Sequence, residues 1–176
     1  MDLKIKDKTA LVTGASTGIG RAIAKALAAE GVHVAVSARR VNLLETLSQE
    51  IVAAGGKKPV IIESDLYAED AAKKLTAAAV VGLGHVDILI NNAGGSRSFK
   101  DLHVDEAAWQ EAITLNFHRP RQVADCLIDQ MVARNWGRII NITGKSEPEH
   151  TNGAFCAKAG IHSWAKGLSR MVGKNG

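Results

Sequence analysis

Short apolar runs alternate with longer amphipathic stretches along the chain. Residues 8–13 (KTALVT) form a β-branched apolar run that reads as a strand, and residues 18–30 place Ile19, Ile23, Ala26 and Leu27 at helical spacing. Gly31 follows, where glycine commonly ends a helix. The same alternation predicts strands at 32–37, 59–62, 86–90 and 138–142. Pro59 opens its strand, the position at which a missing N–H is tolerated. Helices are predicted at 42–54, with Leu43, Leu44, Leu47 and Ile51 on one stripe before Gly55 and Gly56, and at 69–81. Asp105 caps a long helical stretch reaching about residue 134, and a last helix runs from 151 to about 172.

Short strands separated by longer helices indicate βαβ units, and strands apolar throughout indicate helices on both faces of the sheet. Right-handed crossovers then give an α/β fold with a Rossmann-type, doubly wound parallel sheet, in a single domain over residues 1–176. There is no internal repeat, low-complexity tract or linker. Ligands of such sheets bind at the carboxyl ends of the strands, so the residues following each strand carry the functional information.

Composition narrows the partners. With 176 residues, 46% hydrophobic and 23% charged, the chain can bury a core and is not disordered. No run approaches the ~18 apolar residues of a membrane span. The first residues, Met1 to Lys6, lack the apolar segment of a secretory signal. The net charge of +4 is scattered and suits an anionic small ligand; no basic stripe interleaved with aromatics points to nucleic acid. Cys126 and Cys156 stand far apart, which predicts two reduced thiols in a cytoplasmic protein. The six histidines include no His-x-x-x-His pair, and no metal site is expected.

The strongest motif follows the first strand: Thr13-Gly14-Ala15-Ser16-Thr17-Gly18-Ile19-Gly20. It sits between a predicted strand and a predicted helix, the context that gives a glycine-rich turn its meaning. Gly14 permits the tight turn, Gly18 lets the backbone approach a pyrophosphate, and Gly20 lets the helix pack on the strand. The helix N-terminus offers free N–H groups and a positive dipole end to phosphates.

Residues 13–20 match the Thr-Gly-x-x-x-Gly-x-Gly loop of the short-chain dehydrogenase/reductase family, and the chain resembles that family throughout its length. Asn91-Asn92-Ala93-Gly94 follows the fourth strand as the family's Asn-Asn-Ala-Gly does. Asp65-Leu66 follows the third, where the family places an adenine-contacting Asp. Asn116 matches the family's structural and catalytic Asn, and Lys158 its catalytic Lys. The resemblance implies that the loop glycines, Ser16, Thr17 and Ile19 hold a pyrophosphate, that Asn92, Ala93 and Gly94 line the cofactor, and that Lys158 holds the nicotinamide ribose.

NAD sites usually carry an acid at the end of the second strand to hold the ribose 2′-OH. Here Ala38 stands at that position, followed by Arg39 and Arg40. A guanidinium forks onto a 2′-phosphate that a carboxylate would repel. The prediction is NADP(H), with Arg39 as the principal contact.

The catalytic positions depart from the family pattern. The family has Tyr four residues before its Lys; this chain has Ala154, and its one tyrosine is Tyr67. After the fifth strand the family commonly reads Asn-Ile-Ser-Ser, whereas Asn141-Ile142-Thr143-Gly144 puts Gly at the Ser position. The segment 145–150 offers substitutes. Ser146 could orient a substrate oxygen, and His150, with an ordinary pKa of ~6.5, could move a proton; Lys145 or a water relay through Lys158 are alternatives. The segment also reads as a solvated charged loop without chemistry.

Family members usually continue past the last helix into further strands, so the chain reads as C-terminally incomplete. The resemblance also implies a homodimer or homotetramer through the last two long helices, which carry Trp109, Phe117, Leu127, Ile128 and Met131, then Ile161, Trp164, Leu168 and Met171. The expected activity is interconversion of a carbonyl and a secondary alcohol in a small molecule. A 3-oxoacyl thioester reductase is one form of it that nothing here selects, and a non-catalytic NADP(H)-binding sensor or partner subunit is the alternative.

Overall fold

A computed structural model of the chain describes residues 3–95, 99, 103–144 and 150–176. It contains one five-stranded, all-parallel sheet flanked by helices, in the order β3-β2-β1-β4-β5. The elements are β1 (Thr9–Thr13), α1 (Gly18–Ala29), β2 (His33–Ala38), α2 (Val41–Ala53), β3 (Val60–Glu63), α3 (Ala71–Leu83) and β4 (Ile88–Asn91), then α4 (Glu106–Ile113), a π turn (Thr114–His118), α5 (Arg119–Ala133), β5 (Arg138–Asn141) and α6 (Gly153–Val172). The doubly wound sheet and single domain expected from the alternating pattern are present.

The strands alternate across two cores. Leu11, Ala35 and Leu89 pack with Leu75 of α3 and Leu127 of α5. Val12, Val34, Val36 and Ile90 pack on the other face with Leu44 and Leu47 of α2. The register puts Leu11 level with Ala35 and Leu89, so each layer closes over residues of like burial. At the amino end of the sheet, the buried Asp87 carboxylate accepts the Thr9 N–H (3.0 Å), with Arg134 and His85 against its oxygens. This cluster ties β1, β4 and the end of α5 together, away from the carboxyl ends where ligands bind.

Most boundaries shift by one or two residues from the sequence expectation, and three departures have a visible cause. The Val86 N–H donates to the Gln130 side chain, and β4 begins at Ile88. The segment after β3 makes successive turns, with Ala68 N–H on the Asp65 carbonyl and Ala71 N–H on the Ala68 carbonyl, so α3 starts at Ala71 rather than 69. The long helix after Asp105, which does cap α4 through the Ala107 N–H, is broken by the π turn. Pro120 has no N–H to give the carbonyl four residues back, and the Asn116 amide takes the Ala112 carbonyl, so the helix widens here.

Much of the apolar set on the last two long helices is consumed within the subunit. Leu127, Met131 and Ile161 are buried, Trp164 packs on the α3–α5 core, and Phe99 meets Trp109 at 5.1 Å. Met171, 74% exposed, is the member of that set left outermost among the described residues.

Leu89 is fully buried in the middle of the sheet. Leu89→Ala is expected to lower the unfolding free energy by about 2–5 kcal/mol, read by urea titration.

Candidate functional site

The loops after β1, β2, β3 and β4 converge on a cavity of about 830 Å³ at the carboxyl edge of the sheet. Its inner wall is made by Gly14, Ser16 and Thr17 from the first loop and by Asn92, Ala93 and Gly94 from the fourth. Arg39 and Arg40 line it after β2, and Asp65 and Leu66 after β3.

The first and fourth loops are locked to each other. The Thr13 hydroxyl donates to the Ile90 carbonyl (3.2 Å) and accepts the N–H groups of Asn92 and Ala93, both at 3.0 Å. The Asn92 amide donates back to the carbonyls of Thr13 (2.9 Å) and Gly14 (3.1 Å). Gly14 turns with φ +67°, and a Cβ on it would lie 2.8 Å from the Ala93 Cα. Gly20 serves a different neighbour from the expected one: a Cβ there would meet the Asn92 amide nitrogen at 2.3 Å and the Gly14 carbonyl at 2.6 Å. Its role is to admit the Asn92 side chain under the loop.

The donor set suits a phosphate. Thr17 stands at the N-cap of α1 without a side-chain cap bond, so the first-turn N–H groups remain available to a ligand. Gly18, with φ +58°, has open space where a Cβ would point, and Ile19 is 62% exposed. Both arginines are exposed at the rim, and Arg40 Nη2 donates to the Ser16 and the Thr17 hydroxyls, each at 3.3 Å. The arginine joined to the phosphate loop is thus the second of the pair, which sequence reasoning placed behind Arg39. The Asp65 carboxylate accepts the Tyr67 N–H (3.1 Å), which orders the turn carrying Leu66.

Asn116 and Lys158 meet behind Gly94. Asn116 is buried in the π turn; its amide donates to Gly95 and Ala112 carbonyls, both at 2.9 Å, and its oxygen accepts the Gly95 N–H at 3.3 Å. Lys158 Nζ donates to the Ile142 carbonyl after β5. A Cβ at Gly94 would fall 2.9 Å from Asn116 Oδ1 and 3.2 Å from Lys158 Nζ, so glycine lets both groups pack directly behind the cavity wall, although neither lines the cavity itself. Burial holds the Lys158 ammonium below the ordinary lysine range.

Ala154 is buried in the first turn of α6, whose N-cap Asn152 accepts its N–H at 2.9 Å. Gly144 faces the Phe155 ring, 3.5 Å from a built Cβ. His150 is exposed and is not among the residues lining the cavity. Ser146 and Lys145 lie outside the described residues. Among the described residues no His, Cys, Asp and Glu group could hold a metal, and no helix is long and apolar enough to cross a membrane.

The family model described as short chain dehydrogenase matches residues 8–176. The chain belongs to the short-chain dehydrogenase family. It is 32% identical over 175 residues to a 3-oxoacyl-[acyl-carrier-protein] reductase of Aquifex aeolicus, covering 98% of this chain and 71% of that protein. A metagenomic short-chain oxidoreductase solved in complex with NADP superimposes with a TM-score of 0.91 at 31% identity, over 97% of this chain and 79% of that one. The L-sorbose reductase of Gluconobacter frateurii, solved with NADPH and L-sorbose, gives a TM-score of 0.93 at 28% identity, over 99% and 68%. The loops that build the cavity in this chain are thus those of a short-chain oxidoreductase.

Lys158 makes the site sensitive to pH. Its folded-state pKa is lowered, so between that value and the ordinary 10.5 the unfolded chain binds more protons than the folded one, and stability rises with pH. Lys158→Met lacks this rise. The stability of Lys158→Met relative to wild type is expected to fall as pH increases from 7 towards 10, read by urea titration at each pH; a difference independent of pH would contradict the burial of the ammonium.

Proposed function

We propose that the chain is an NADP(H)-dependent oxidoreductase that interconverts a carbonyl and a secondary alcohol. The observation that carries the cofactor reading is the paired basic corner of the cavity. Ala38 leaves no carboxylate at the end of β2, and Arg40 reaches the Ser16 and Thr17 hydroxyls while Arg39 stands beside it. Two guanidinium groups there favour a ribose phosphate over a free 2′-OH. The NADP and NADPH in the two solved relatives support the same choice.

In this reading Gly14, Ser16, Thr17, Gly18, Ile19 and Gly20 form the pyrophosphate cradle, with Gly20 acting through Asn92. Asp65 and Leu66 form the adenine wall, and Asn92, Ala93 and Gly94 the floor. NADPH supplies a hydride when bound. Lys158 leaves the Ile142 carbonyl to hold the nicotinamide ribose, and Asn116 keeps residues 94–95 in place beside it. With alanine at 154, another group must supply the proton; His150 is the candidate from the sequence, with Ser146 to orient the substrate oxygen, and His150 supplies it only by leaving the exposed position outside the cavity that it holds here. The same reading makes the protein a cytoplasmic homodimer or homotetramer.

Calorimetric titration of the purified chain with NADPH and NADH tests the cofactor. NADPH is expected to bind at least about tenfold more tightly, and Arg40→Ala to remove about 1.5–3 kcal/mol of NADPH affinity while leaving NADH affinity nearly unchanged. Equal affinity for the two cofactors would overturn the choice of NADP(H).

A second reading, a non-catalytic NADP(H)-binding sensor or partner subunit, is favoured by the buried Ala154 and by Gly144. Turnover separates the two. His150→Ala is expected to lower turnover of a verified substrate by about 10²–10⁴-fold. Unchanged turnover would remove His150 from the mechanism. A large rate gain in the double variant Ala154→Tyr, Gly144→Ser would instead mark a site that has lost its proton donor.

A further inference from the structure

The cavity's adenine wall is held from outside by a buried cation that sequence reasoning did not single out. Arg119, the first residue of α5, is 8% exposed and does not line the cavity. Its Nε donates to the Leu66 carbonyl at 2.7 Å and its Nη2 to the Tyr67 carbonyl at 3.4 Å. Its Nη1 donates to the Gln122 side chain at 2.5 Å. Among the described residues no carboxylate pairs with it, so a guanidinium withdrawn from water is balanced here by neutral acceptors alone. Two of the three are consecutive carbonyls of the turn that presents Asp65, Leu66 and Tyr67 to the cavity.

That turn is also joined to α4, where the Tyr67 hydroxyl donates to Glu111 Oε1 at 3.2 Å. Asp65 bonds within it, to the Tyr67 N–H, and Leu66 is buried beneath it. Arg119 is the contact that joins its carbonyls to a different helix, and it does so just after the π turn that carries Asn116. The widened helix therefore serves both ends of the cavity, with Asn116 at Gly95 and Arg119 at residues 66–67. We infer that Arg119 is a positioning residue for the cofactor: its fork sets the distance between the residue 65–67 wall and the cavity floor and so determines affinity for the adenine half. The inference rests on the NADP(H) reading of the cavity.

Adenosine 2′,5′-bisphosphate, NADPH and NADH all carry adenine, whereas NADH lacks the 2′-phosphate. Arg119→Ala is expected to weaken all three by a similar factor, about tenfold, with kcat for a verified substrate unchanged at saturating NADPH. Arg119→Lys, which keeps the charge and one donor atom but not the fork, is expected to recover part of the loss. Arg40→Ala, by contrast, should weaken the two 2′-phosphorylated ligands alone. Unchanged affinity in Arg119→Ala, or a loss confined to the 2′-phosphate ligands, would overturn the inference while leaving the NADP(H) reading standing. If Arg119→Ala does not fold, Arg119→Lys and Arg119→Gln are titrated in its place, and wild-type affinity in both overturns it. A wild-type chain that binds none of the three ligands overturns the cofactor reading and this inference with it.

Discussion

The structure depends on the bonding between the ends of two neighbouring strands. β1 and β4 run parallel and in register, so the loops that follow them leave the sheet side by side. Thr13 and Asn92 exchange five hydrogen bonds with the opposite strand or loop, all between 2.9 and 3.2 Å. This pairing satisfies the backbone groups that a strand end would otherwise leave to water, and it fixes the glycine turn before any ligand arrives. In the NADP(H) reading, a phosphate then meets a preformed cradle, which spares the cost of ordering a loop on binding.

The same bonding explains why glycine recurs around the site. At Gly20 and Gly94 the absent side chain makes room for a functional neighbour, Asn92 in one case and Asn116 with Lys158 in the other. Lys158 is a half-buried cation beside this arrangement. Its ammonium is lodged against a carbonyl at the end of β5 and kept partly from water, which weakens its hold on the proton. A carbonyl is a neutral partner, so it accepts from the ammonium without pairing its charge.

The helix after β4 has a comparable double use. An unbroken α-helix through residues 106–133 would need an N–H that Pro120 lacks. The π turn resolves this and turns Asn116 and Arg119 towards loops on opposite sides of the cavity. A local irregularity in one helix thereby fixes two walls, which fits the tendency of π turns to occur at functional sites.

The sequence by itself determined the order and type of the elements, because apolar periodicity and glycine punctuation are local properties. It also determined the position of the phosphate loop, since a glycine motif between strand and helix carries its own context, and it exposed the missing tyrosine directly. What it could not rank were contacts between residues far apart in the chain. That Arg40 rather than Arg39 reaches Ser16 and Thr17 depends on how β2 and β1 end relative to each other, 23 to 24 residues apart. That Gly20 exists for Asn92 depends on a pairing across more than 70 residues. Arg119 carried no sequence signal at all, because an arginine within a long helix is ordinarily a solvated charge. Only the tertiary structure, by bringing the residue 66–67 carbonyls over α5, made it a buried clamp, and the reason is physical: a guanidinium removed from water must find acceptors, and those acceptors belong to another part of the chain.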